Sequence, residues 1–124
     1  MNGINYILDT NAIIYLLSGN PVMKQYITCR CGLSIISKME LLSFSGISEK
    51  EEKIINNFLN ECEIFPINHN IEEKAIILRK KYKIKLPDAI VASTSIYIGA
   101  PLITADKGFS KIKELNLELI NPSI

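Results

Sequence analysis

The sequence predicts an α/β domain in three layers, a mainly parallel sheet with helices on both faces. Three observations carry this. Short apolar runs of strand length alternate with segments of helical periodicity. Cap and turn residues fall between them. The stretch around Ile90, Val91, Ala92 and Ile96 is apolar nearly all round, which suits a helix in the middle of a layered fold. The 124 residues read as one unit, 1–124, long enough to bury a core and free of linkers, repeats or low-complexity segments.

Ile4 to Leu8 is the first expected strand, and Thr10 to Ser18 a helix that ends near Gly19-Asn20-Pro21. A short helix follows over Val22 to Thr28. Leu33 to Ile36 is the next strand, with Ser37 placed to cap a helix through Met39, Leu41 and Leu42. Ser48-Glu49-Lys50-Glu51 resembles a capping box, and Ile54, Ile55, Phe58, Leu59 and Cys62 repeat behind it at helical spacing. Ile64 to Ile67 is a strand whose Pro66 assigns it to an edge.

Asn70 is placed to cap a helix with Ile71, Ala75, Leu78 and Tyr82 on one face. Pro87 suits the first turn of a helix that puts Asp88 second and stops at Gly99. Pro101 to Thr104 is a strand, Lys107 to Lys113 a short helix and Leu117 to Ile120 a last strand.

Composition is that of an ordinary globular protein, with 48% hydrophobic and 22% charged residues. A formal net charge of +1 means that any nucleic-acid binding must come from a local basic patch. No apolar run reaches the roughly 18–20 residues of a membrane span, and no basic segment precedes a cleavable signal, so a cytoplasmic location is expected. Cys29, Cys31 and Cys62 are too few for a disulfide framework. With His69 the only histidine, they read as reduced structural thiols rather than a zinc site.

The acidic residues are the most informative. There are three aspartates, Asp9, Asp88 and Asp106, and each lies beside an apolar segment rather than in a charged surface run. An ionised carboxylate there is costly unless it is paired or binds a cation. Asp9 and Asp106 each follow an expected strand, at the carboxyl edge where ligands bind in open parallel sheets. Asp88 reaches the same edge from a helix N-terminus, which favours negative charge. Glu40 stands alone among apolar residues, one helical turn beyond Ser37. Carboxylates without histidine or cysteine are hard oxygen ligands, suited to Mg²⁺ or Mn²⁺. Taken singly, each acid could instead be a helix cap or turn residue.

Four segments together resemble the motifs of PIN-domain ribonucleases, in order and over nearly the whole chain. They are Asp9-Thr10-Asn11, Ser37-Lys38-Met39-Glu40, Leu86-Pro87-Asp88-Ala89-Ile90-Val91-Ala92 and Leu102-Ile103-Thr104-Ala105-Asp106-Lys107-Gly108-Phe109. The resemblance is closest to VapC-type toxins of bacterial toxin–antitoxin pairs. It implies a PIN-like fold and a Mg²⁺- or Mn²⁺-dependent endoribonuclease. It also implies a homodimer, silenced by a small antitoxin bound across the active site. Asp9, Glu40, Asp88 and Asp106 would hold the metal directly or through water, while Thr10, Asn11, Ser37 and Thr104 orient carboxylates or water. One departure is Leu-Leu-Ser-Phe-Ser-Gly after Glu40, where many relatives reach glycine sooner.

Arg79, Lys80, Lys81, Lys83 and Lys85 form the densest basic run. They can hold RNA phosphates beside the metal or complement a helix C-terminus. Lys107, Lys111 and Lys113 read as solvated charge, the tyrosines as core or interface residues and His69 as a turn residue. A haloacid-dehalogenase-type phosphatase would need a second aspartate where Asn11 stands. A phospho-receiver would need one near the end of a middle strand, and Ile64 to Ile67 has none. An RNA-processing nuclease without an antitoxin, and a non-catalytic cation- or partner-binding module, remain open on the residues alone.

Overall fold

The computed structural model describes residues 3–122; Met1, Asn2, Ser123 and Ile124, which the expected unit 1–124 includes, lie outside them. Five parallel strands form one sheet in the order β3-β2-β1-β4-β5: β1 Tyr6–Leu8, β2 Cys31–Ser34, β3 Glu63–Phe65, β4 Leu102–Thr104 and β5 Leu117–Leu119. The chain thus starts near the middle of the sheet, builds one side, then crosses to the other. That reversal puts a crevice at the carboxyl ends of β1 and β4.

Side chains alternate across the sheet, so neighbours in β1 serve opposite layers. Leu8 packs with Leu33 and Ile103 against Ala12 and Ile13 of α1 (Thr10–Leu17) and Leu59 of α3 (Glu49–Asn60). Ile7 packs with Leu102 against Leu78 of α4 (His69–Tyr82) and Val91 and Ala92 of α5 (Leu86–Ile98). The helix α5 is buried from Ala89 through Ser95, as its all-round apolar sequence requires. Its hydroxyls are satisfied within the fold: Ser93 and Thr94 donate to the carbonyls of Ala89 and Ile90 at 2.7 and 2.8 Å. No helix among the described residues is long and apolar enough to cross a membrane.

Several boundaries differ from those expected. The strand β2 ends at Ser34, whose hydroxyl accepts from the Ile36 amide at 3.2 Å and caps α2 (Ile35–Leu42). Ile35 and Ile36, expected in a strand, are therefore the first turn of that helix, and Ser37 lies inside it rather than capping it. Asn68, not Asn70, caps α4, accepting from Ile71 N at 2.9 Å. His69 accordingly opens a helix, with its Nε2 3.0 Å from Glu73 one turn on. The strand β3 stops before Pro66, which has no amide hydrogen to extend the ladder. The two short helices expected over Val22 to Thr28 and Lys107 to Lys113 are 3-10 helices spanning Pro21–Tyr26 and Lys107–Lys111. The Ser48–Glu51 capping box is present in both directions, each bond 3.1 Å.

Candidate active site

The site is assembled where β1 and β4 run side by side, with Leu8 opposite Ile103. One residue further on, Asp9 leaves β1 and caps α1, its Oδ1 accepting the Ala12 amide at 2.8 Å. Its Oδ2 accepts the hydroxyl of Thr104, the last residue of β4. The same hydroxyl accepts the Asp106 amide at 3.0 Å, and Asp106 Oδ1 in turn accepts Gly108 N at 2.8 Å. A short network therefore fixes two aspartates from opposite ends of the sequence relative to each other.

Two helices bring the remaining acids. Glu40, in the last turns of α2, has Oε1 held by the Thr10 hydroxyl at 2.5 Å. Asp88 is third in α5, one place later than expected because the helix opens at Leu86. Asp9, Glu40, Asp88 and Asp106 all line one pocket of ≈ 660 Å³, together with Thr10 and Asn11. Ser37 is buried and its Oγ has no hydrogen-bond partner among the described residues, so it is not joined to any of the acids.

The electrostatics are those of crowded like charges in a partly dry site. Asp9 is 8% exposed. Burial pushes its carboxyl above the usual aspartate range; the bonds from Thr104 and Ala12 oppose that, and Asp106 and Asp88 add to it. Burial likewise raises Asp88, reinforced by Asp106 and Glu40 and opposed by Lys85 and Lys111. The acids thus share a pocket. Yet among the described residues no three acid, histidine or cysteine side chains are drawn together into a ready ligand set for one ion. The donor chemistry nonetheless fits a hard divalent cation, since every candidate is a carboxylate and a cation would relieve their mutual repulsion.

The acids share the pocket with apolar side chains, a feature the motifs did not reveal. Ile14, Phe44 and Ile54 line it and are 42%, 58% and 45% exposed. Ile54 belongs to a helical repeat in the sequence; only the packing of the helices shows that this face is left open. The basic run divides. Lys81 is tied to Glu114 at 3.3 Å, Arg79 and Lys80 line a groove on α4, and Lys83 and Lys85 turn toward the acids. Among the cysteines, burial pushes the Cys31 thiol up to about 11 and that of Cys62 to about 12. Such thiols are poor nucleophiles at neutral pH.

Comparison with known proteins agrees with this geometry. The PIN domain family model matches residues 6–115. A toxin–antitoxin complex from Klebsiella pneumoniae contains a chain 30% identical to this one, superposing with a TM-score of 0.79 over 95% of this chain and 98% of that one. VapBC2 from Rickettsia felis, bound to a promoter DNA fragment, is 24% identical, with a TM-score of 0.80 over 95% of this chain and 100% of that one. VapBC-1 from nontypeable Haemophilus influenzae, also 24% identical, gives 0.81 over 94% and 98%; at that identity the two VapBC likenesses speak for the fold. Among curated proteins, none matches the chain significantly in sequence. With the family model spanning most of its length and the motif acids in one pocket, this chain belongs to the PIN-domain family.

Proposed function

We propose that the protein is a Mg²⁺- or Mn²⁺-dependent endoribonuclease acting in the cytoplasm as the toxin of a toxin–antitoxin pair. One observation carries this: buried Asp9, locked by Thr104 and the Ala12 amide, faces the same pocket as Glu40, Asp88 and Asp106. A carboxylate kept in a site that disfavours its charge has a role beyond stability.

Asp9, Glu40, Asp88 and Asp106 would hold the divalent ion, directly or through water. When bound, such an ion supplies charge neutralisation at the phosphate and activation of a water. The chain's own residues supply orientation. Thr104 fixes the Asp9 carboxylate and the Asp106 backbone, and Thr10 holds Glu40 Oε1, leaving Oε2 for the pocket. Asn11 lines the same pocket and can place a water by hydrogen bonding. Ser37, one turn before Glu40, is buried and outside the pocket lining, so it would orient Glu40 only through the helix that carries both.

The exposed apolar wall formed by Ile14, Phe44 and Ile54 supports a protein partner across the pocket, as an antitoxin would be. The Klebsiella relative was solved as a toxin–antitoxin complex. Exposed Ile76 and Ile77 on α4 and Tyr97 on α5 support self-association into a homodimer.

Purified protein is expected to cleave RNA only with added Mg²⁺ or Mn²⁺, and Asp9→Asn or Asp88→Asn to abolish cleavage. Undiminished cleavage by both variants, from a nuclease-free preparation, would sink the proposal.

A further inference from the structure

We infer that a cationic cleft beside the acid pocket, formed by Lys83, Lys85 and Lys111, binds the backbone phosphates of single-stranded RNA on one side of the scissile bond. The inference rests on the ribonuclease reading above and names the path its substrate takes.

The cleft, ≈ 210 Å³, is continuous with the acid pocket, because Asp88, Asp106 and Phe109 line both. Lys83 and Lys85 come from the turn between α4 and α5, Lys111 from the 3-10 turn after β4. Lys111 lies 26 residues beyond Lys85 in the sequence, and only the fold joins it to the other two. Among the described residues none of the three forms an ion pair, whereas Lys81 is held by Glu114. Lys85 and Lys111 line the cleft together with Asp88 and Asp106. Their charge therefore bears on the edge of the acidic centre.

Two features show that this cleft is built. Lys83 has φ 54°, the one positive φ outside glycine among the described residues. A lysine there is less favourable than the glycine or asparagine usual at a helix C-terminus. Strain of that kind gathers at functional positions. The two walls are also braced against each other. The Tyr82 hydroxyl donates to Glu114 and accepts the Lys113 amide at 3.2 Å, pinning the end of α4 to the segment after Lys111.

The chemistry favours a polyanion. A strand approaching Asp9, Glu40, Asp88 and Asp106 meets repulsion, and ammonium groups on their border offset it by donating to phosphates, whose condensed counterions are released. Lys83 and Ile84 also line a second groove, ≈ 480 Å³, that continues toward Arg79 and Lys80. Cationic rims over apolar floors suit single strands.

The test is binding of a labelled mixed-sequence oligoribonucleotide by the full chain carrying Asp9→Asn, measured over a range of salt. Adding Lys85→Gln with Lys111→Gln is expected to weaken binding about tenfold and to flatten the log–log salt slope by about 1.4, two single-strand phosphate contacts. Lys81→Gln should change neither. Lys83→Gly should bind more weakly while melting at a higher temperature, which separates a binding role from a structural one. Affinity and slope unchanged in the double variant would overturn the inference. So would absence of binding by the parent, or tighter binding of a polyglutamate peptide with the same lysine dependence. Lysine-dependent RNA binding without cleavage by the unmutated chain would uphold the cleft and refute the nuclease.

Discussion

Thr104 donates its hydroxyl to Oδ2 of Asp9, a residue 95 positions earlier, across the junction of β1 and β4. Parallel pairing of Leu8 with Ile103 sets the two residues side by side, one step beyond the ladder register. The same oxygen accepts the Asp106 amide, so one buried hydroxyl orients two acids.

Thr104→Val keeps the shape and removes that donor and acceptor. Asp9 and the Asp106 amide then each lose a partner, and a stability loss of about 1–3 kcal/mol is expected. RNA cleavage should fall about 10- to 100-fold, as when a metal ligand loses its orienting partner. Thr104→Ser should recover most of both. Denaturant titration and an initial-rate assay on the two variants decide the matter; a valine variant as active as the parent would refute the role.

Divalent ions should stabilise the folded chain. A cation that binds only the native site adds RT ln(1 + [L]/Kd), about 2.7 kcal/mol at a hundredfold excess over Kd. The melting temperature should therefore rise with Mg²⁺ or Mn²⁺, and this rise should be absent in Asp9→Asn. An equal rise in both proteins would place the ion elsewhere.

Acid should release the brace behind the cationic cleft. The Tyr82 hydroxyl, and then Lys81, hold the Glu114 carboxyl below its usual value of 4.5. A depressed folded pKa gives stability that is present above the ordinary glutamate range and is lost as pH falls through the folded value. Glu114→Gln should accordingly melt lower than the parent at pH 7, and the two should converge below about pH 4. Glu114 is largely solvent-screened, so the difference should be small. Melting curves across that range test it; a gap that persists in acid would contradict the linkage.

Gly32→Ala probes the layer beneath α5. A Cβ at this position would stand 2.6 Å from the Phe65 ring, 3.2 Å from the Glu63 carbonyl oxygen and 3.3 Å from Ile7. Overpacking of this kind costs about 1–3 kcal/mol. Adding Phe65→Leu should restore part of the loss, a double-mutant coupling readable by denaturant unfolding. Full stability in the single variant would mean that β2 and β3 can part without cost.

Local chemistry in the sequence alone determined the order of elements, the layered parallel sheet and the identity of the acids. Apolar runs, a capping box, Pro87 and Gly99 each act within a few residues, and such signals survive without tertiary context. The same signals misplaced Ser37 and Asn70, because a serine or asparagine can cap wherever its neighbours permit. Ser34 and Asn68 took those roles once β2 and β3 had fixed where each strand ends.

Tertiary structure alone decided three things. It paired Thr104 with Asp9, which depends on strand register. It opened the apolar face of Ile14, Phe44 and Ile54 to the pocket, a grouping that three separate segments make only when packed. It divided the lysines, tying Lys81 to Glu114 and setting Lys111 beside Lys85. A charge run has no direction until the backbone turns, and here the turn is the left-handed conformation of Lys83. Contacts between residues far apart in the chain arise only when the sheet closes and brings its two halves to one edge.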